Sequence, residues 1–188
     1  MMQVLSGILM LARFNAEGFR LFTATPLGFM NSLAPMLGIS VVAGLRPLLA
    51  GNWRALAAHV LTSAIALLGP PVLSHMLARA WRREALWMRY VVAFNWCQAV
   101  VTLVTVVLIL GWTAAGGGPN AISLQLLIGI FAVVIYWMVL CWYMAWRGLG
   151  VGKLKAVLAV IVINMGTGVL VMGPQLLLGV MAGRAVAP

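Results

Sequence analysis

The sequence alternates long uncharged apolar runs with short basic segments, and this alternation constrains the fold more than any other feature. Only two of the 188 residues are acidic, 64% are hydrophobic and 7% are charged. A chain with so few charged residues cannot cover a soluble core with a polar surface. Several apolar runs reach the roughly 20 residues that a helix needs to cross a bilayer. We therefore predict an all-α, polytopic transmembrane helical bundle.

The basic segment 79–89 orients this bundle. It places four arginines between two apolar runs, namely Arg79, Arg82, Arg83 and Arg89. Arginine beside an apolar run is retained in the cytoplasm during insertion, and tryptophans such as Trp81 and Trp87 favour the headgroup boundary. The segment is predicted to be a cytoplasmic hairpin, and the other segments take their sides by alternation.

Five membrane spans follow from the apolar runs, and with their loops they form one domain over 24–188. The predicted spans are 27–45, 55–78, 90–112, 121–146 and 154–181. Proline and glycine predict a kink or a break inside three of them. The predicted interruptions are a kink at Pro35 and breaks at Gly69-Pro70-Pro71, Gly166-Thr167-Gly168 and Gly173-Pro174.

The distribution of the twelve basic residues agrees with this layout. Nine fall on the predicted cytoplasmic side: Arg13, Arg20, Arg79, Arg82, Arg83, Arg89, Arg147, Lys153 and Lys155. Three fall on the other side: Arg46, Arg54 and Arg184. The excess predicts a cytoplasmic amino terminus and a periplasmic carboxyl terminus. The four arginines of 79–89, with Arg147, Lys153 and Lys155, are also expected to contact anionic headgroups.

Residues 1–23 have the pattern of an interfacial amphipathic helix. Polar residues step by three and four, with one methionine in the stripe: Gln3, Ser6, Met10, Arg13, Glu17 and Arg20. Apolar residues occupy the remaining surface, as is typical of a helix that lies in the headgroup plane. Such a helix either senses lipid or curvature, or only anchors the chain beneath the bundle.

A stripe of polar residues is predicted inside the bundle. It follows the third span and continues into the fourth and fifth: Asn95, Gln98, Thr102, Thr105, Gln125, Asn164 and Thr167. Amides and hydroxyls facing lipid would lack partners, so the stripe should turn inward. There it either bonds helices to one another or lines a path for a small solute.

Small residues spaced by four predict close helix contacts in three spans. They are Ala34, Gly38, Ala58, Thr62, Ala66, Gly179 and Gly183.

Residues suited to catalysis or metal binding are scarce. No acidic residue lies in a predicted span, although ion-coupled carriers usually place ionisable groups there. His75, Cys97 and Cys141 share one predicted depth and would hold a metal only if they converged with a fourth ligand; the alternative is that all three pack in the core. The net charge of +10 is scattered between apolar runs, unlike a nucleic-acid-binding face. We expect no catalysis, no cofactor and no nucleic-acid partner.

The overall layout resembles the Ypt-interacting protein (Yip) family. The similarity lies in a cytoplasmic amphipathic start, a proline-led entry to the first span at Thr25-Pro26-Leu27-Gly28-Phe29, and five apolar spans. This resemblance implies a non-enzymatic protein of a bacterial inner membrane, an accessory subunit or scaffold with a membrane-protein partner or a second copy. The alternative from the polar stripe is a small uncoupled transporter or channel with a path along spans three and five.

Overall fold

The computed structural model of the chain describes residues 2–116 and 124–184, and side-chain surroundings up to residue 173. These ranges contain helices α1 (Met2–Ala12), α2 (Pro26–Leu49), α3 (Trp53–Ala80), α4 (Glu84–Ala114), α5 (Leu124–Gly148) and α6 (Lys153–Arg184), and a short 3-10 helix (Ala16–Leu21). Helices α2 to α6 are each long and apolar enough to cross a membrane. The predicted all-α, five-span membrane bundle is therefore confirmed.

Side-chain caps begin the first two spans. The Thr25 hydroxyl accepts the Gly28 N–H at 3.1 Å ahead of Pro26, which occupies the first helical position. The Asn52 carboxamide accepts the Ala55 N–H at 3.0 Å. Each bond satisfies one backbone donor that a helix start leaves free, so both helices begin at defined residues.

The predicted breaks in α3 and α6 are wrong. Helix α3 continues through Pro70 and Pro71, and α6 continues through 166–168 and 173–174. Proline has a helical φ, so it costs a helix hydrogen bonds without forcing the chain out of the helix. The Ser74 hydroxyl donates to the Pro71 carbonyl of the preceding turn at 3.0 Å.

Close packing between α3 and α6 accounts for the glycines at these positions. A Cβ at Gly69 of α3 would lie 3.1 Å from the Thr167 hydroxyl of α6. Reciprocally, a Cβ at Gly166 of α6 would lie 2.8 Å from Leu73 of α3. A side chain of each helix thus packs over a glycine of the other, so these glycines allow close packing and do not break the helices.

The five long helices pack as a bundle in which α3 also contacts α4. Helix α2 packs against α3 and α4, α5 packs against α4 and α6, and α3 packs against α6. Within the described residues α4 and α6 do not pack against each other. The α3–α4 turn at 81–83 and the α5–α6 link at 149–152 lie at one end of the bundle, here named the hairpin end.

The amino-terminal segment differs from the single helix predicted over 1–23. Helix α1 ends at Ala12, Phe14 takes a left-handed φ of 56°, and the 3-10 helix follows. The Asn15 carboxamide accepts the Glu17 N–H at 3.0 Å and so caps the 3-10 helix. The chain folds back here because Phe22 packs over Gly7, where a Cβ would lie 2.9 Å from its ring.

Candidate functional site

The packed core lies at the hairpin end of the bundle. Residues 90–95 of α4 are all buried, as are most of residues 140–145 of α5, whereas residues 106–111 of α4 are all exposed. Helix α4 has 31 residues and is about 46 Å long, which exceeds the roughly 30 Å of bilayer hydrocarbon. An untilted α4 would therefore extend beyond the hydrocarbon, and the arginines and tryptophans at the hairpin end are residues favoured at the headgroup boundary.

The amino-terminal segment is part of this core. Tyr136 of α5 donates to the Ala12 carbonyl at 2.7 Å. The Phe14 ring packs edge-on against the rings of Tyr136 and Tyr143. Phe19 is buried against Gly148, where a Cβ would lie 2.8 Å from its ring. Helix α1 also has an outward apolar stripe formed by Met2, Leu5 and Leu9. Helix α1 therefore has one face packed on the bundle and one apolar face exposed.

Asn95 forms the buried polar contact between α4 and α2. Its amide donates to the Ser32 hydroxyl at 3.0 Å, and this hydroxyl donates to the Phe29 carbonyl at 2.6 Å. Ser32 is 0% exposed and Asn95 is 3% exposed. From the sequence, Asn95 is a member of the polar stripe, but nothing in the pattern identifies Ser32, 63 positions earlier, as its partner.

The other members of the predicted stripe do not converge on one path. Thr105 and Asn164 bond carbonyls of their own helices, those of Val101 at 2.9 Å and Val160 at 2.8 Å. Gln98 and Thr102 are half-buried on α4, Thr167 packs over α3, and Gln125 borders a crevice between α4 and α5 near the opposite end. In the described part of the chain α4 and α6 do not pack together, so the described polar residues of spans three and five are not joined.

The candidate metal ligands do not form a group of three: Cys97 and Cys141 lie in one buried cluster, and His75 lies outside it. The His75 ring packs edge-on against Trp87, with centroids 4.6 Å apart, and Trp87 donates to Ser74 at 3.0 Å. Cys97 and Cys141 are buried free thiols. In the part of the chain that the structure describes, no three histidine, cysteine or acidic side chains come close enough to hold a metal. Cys97 and Cys141 pack in the core as expected, whereas His75 is exposed and contacts Trp87 at the surface of the bundle.

The basic residues of the predicted cytoplasmic loops all lie at the hairpin end. Arg79 faces Glu84 at 3.8 Å across the α3–α4 turn, which also carries Arg82 and Arg83. Arg147 and Lys153 approach the Trp146 ring, at 5.3 and 5.0 Å from its centroid. The remaining two lie in the first turns of α4 and α6: Arg89 and Lys155. A band of cations and indoles thus surrounds this end.

The predicted small-residue faces differ in how far the rest of the chain covers them. A Cβ at Gly38 of α2 would meet nothing within 4 Å, and Ala34 one turn earlier is exposed. The α3 ladder is half-buried, at Ala58, Thr62 and Ala66. Gly179 and Gly183 belong to the last turns of α6, whose side-chain surroundings lie outside the described residues. The Ala34–Gly38 face is therefore unoccupied by the rest of the described chain.

These features define the class of protein: an all-helical, multi-pass membrane protein with a packed core at one end. No protein-family model, curated protein or solved structure matches the chain.

Proposed function

We propose that this chain is a non-enzymatic accessory subunit or scaffold of a bacterial inner membrane, with its amino terminus in the cytoplasm. It acts by binding a partner helix and lipid. The observation that carries this function is the unoccupied small-residue face of α2 at Ala34 and Gly38. The Yip-like layout of the chain is in keeping with such a role.

The contrast among the glycines supports a partner helix at this face. Gly69 and Gly166 each receive a side chain from the neighbouring span, whereas Gly38 meets nothing within 4 Å. In lipid, helices associate through backbones that approach closely over small residues, because no hydrophobic force drives them together. An exposed small-residue pair inside a span is therefore suited to a helix from another subunit or a second copy.

The low burial of the spans supports the same function. In the most apolar stretch of α2 only 11% of residues are buried within the chain, and the figure for α5 is the same. Leu37, Val41 and Leu45 lie exposed along α2 beside Gly38. This apolar surface must be covered by lipid or by another protein, since exposure of so large an apolar patch to water is unfavourable.

A matched pair of substitutions tests the role of this face. Gly38→Leu adds bulk where the partner would sit, and Gly168→Leu adds the same bulk on α6, where a Cβ also meets nothing within 4 Å. Gly168 has Asn164 and Met172 four residues away, so it lacks a small-residue partner. The protein is extracted in a mild detergent, and the mass and stoichiometry of the particle are measured.

The wild type and Gly168→Leu should elute with a stoichiometric partner or as a dimer, and Gly38→Leu should elute as a folded monomer. Retention of the partner by Gly38→Leu, or its equal loss from both variants, would contradict the role of this face. A monomeric wild type that releases small solutes from vesicles would instead favour the uncoupled transporter.

A further inference from the structure

A basic cavity lies between the two turns at the hairpin end. Its volume is about 420 Å³, and it is bordered by Trp81 and Arg83 of one turn and by Lys153 and Lys155 after the other. This volume falls within the roughly 300–1,000 Å³ typical of small-molecule sites. Three cations and an indole therefore border a space large enough for a small charged ligand.

The chain itself provides no acidic side chain for these cations. It has two acidic residues, and both face other arginines: Glu17 lies 2.7 Å from Arg20, and Glu84 lies 3.8 Å from Arg79. Neither glutamate borders the cavity. Like charges gathered without a counter-ion repel one another, so an anion that enters the cavity is attracted by the cations that border it.

The walls of the cavity are held in place by the core. The link between α5 and α6 turns at Gly150, whose φ of 62° favours glycine, while Leu149 and Val151 on either side are buried. The Trp142 indole donates to the Lys153 carbonyl at 3.2 Å, and the Lys153 ammonium lies over the Trp146 ring. Fixed walls reduce the entropy that a ligand must lose on binding.

We infer that this cavity binds the phosphate of an anionic lipid headgroup at the membrane surface. Arginine donates in pairs to phosphate oxygens, and lysine adds point charges. The cavity opens at the bundle end that carries the indoles of the headgroup boundary. This site adds a specific ligand to the lipid contacts of the proposed function, but it does not depend on a protein partner.

Two triple variants with equal charge change test this site. The cavity variant is Arg83→Gln, Lys153→Gln and Lys155→Gln; the control is Arg13→Gln, Arg82→Gln and Arg89→Gln, which changes exposed arginines that do not border the cavity. Each protein is purified into micelles with equal phosphatidylglycerol and phosphatidylcholine at about 0.15 M salt, so that both variants are compared under the same screening. Native mass spectrometry counts the retained lipids, and thermal unfolding verifies the fold.

The wild type and the control should each retain one phosphatidylglycerol in preference to phosphatidylcholine, and the cavity variant should retain at least tenfold less. Equal phosphatidylglycerol retention by the two variants would overturn the site, because lipid binding would then depend only on the net positive charge of the protein. Added inorganic phosphate separates the sources of the anion. If inorganic phosphate occupies the cavity and the wild type retains no phosphatidylglycerol, the lipid assignment is overturned. None of these results depends on the partner of the α2 face.

Discussion

The hydrogen bond between Asn95 and Ser32 predicts that a second substitution restores stability lost by the first. Ser32→Ala removes the acceptor of the Asn95 amide, and Asn95 is only 3% exposed. A buried donor that loses its partner costs about 1–3 kcal/mol. Adding Asn95→Leu to Ser32→Ala removes the orphaned amide as well, and part of the new side chain fills the space of the lost hydroxyl.

The double variant should therefore be more stable than Ser32→Ala alone. Replacing both partners of a buried hydrogen bond by apolar groups is close to neutral, so we expect the double variant within about 1 kcal/mol of the wild type. Measured polar contacts between membrane helices average about 0.6 kcal/mol, which sets the lower limit of the expected single-variant effect. The control is Thr105→Val, which loses only a bond to a carbonyl of its own helix and should change stability by less than about 0.5 kcal/mol.

Unfolding by SDS in mixed micelles gives the free energies, with tryptophan fluorescence as the signal. The chain has eight tryptophans, and Trp96 directly follows the substituted asparagine. The reasoning would be refuted if Ser32→Ala matched the Thr105→Val control, or if the double variant were less stable than Ser32→Ala.

Three further results are expected. Gly166→Leu should destabilise the α3–α6 contact by about 1–3 kcal/mol because its side chain would occupy the space of Leu73 of α3. Gly168→Leu should change stability less in the same SDS titration because a Cβ there meets nothing within 4 Å; equal effects would contradict the contact. Tyr136→Phe loses the bond to the last carbonyl of α1, so amide exchange of residues 2–22 should rise by about fivefold, or about 1 kcal/mol, and unchanged exchange would rule out this anchor. In a variant without native cysteines, thiols at Arg82 and Asn52 should label from opposite sides of the membrane, and labelling from one side would refute the predicted topology.

The spans can be predicted from the sequence because hydropathy depends only on the residues of each segment. The predicted span 55–78 lies within α3, and 90–112 lies within α4. The ends were less accurate: α4 begins at Glu84, since its first turns are charged and resemble a loop in composition. A helix that is held by the core can continue past the hydrocarbon, and no hydropathy rule indicates where it ends.

The errors occurred where tertiary contact outweighs local preference. Glycine and proline at 69–71 predict a break when only the segment is considered, yet Gly69 is needed for the approach of Thr167. The amino-terminal stripe gave a helix over 1–23 because periodicity does not reveal that Phe22 returns to Gly7. The partners of Asn95 and of the basic cavity were inaccessible for the same reason, since both join residues far apart in sequence.

The uneven burial of the bundle links its stability to its surroundings. At the hairpin end the chain supplies its own partners: rings pack on glycines, Asn95 bonds Ser32, and Tyr136 holds α1. Toward the opposite end the helices expose leucine and valine, so lipid or another subunit must cover them. Helix contacts in lipid gain little from apolar area alone, because lipid chains are as apolar as leucine. The stability of the exposed half therefore depends on what surrounds it, whereas the hairpin end is held by contacts within the chain.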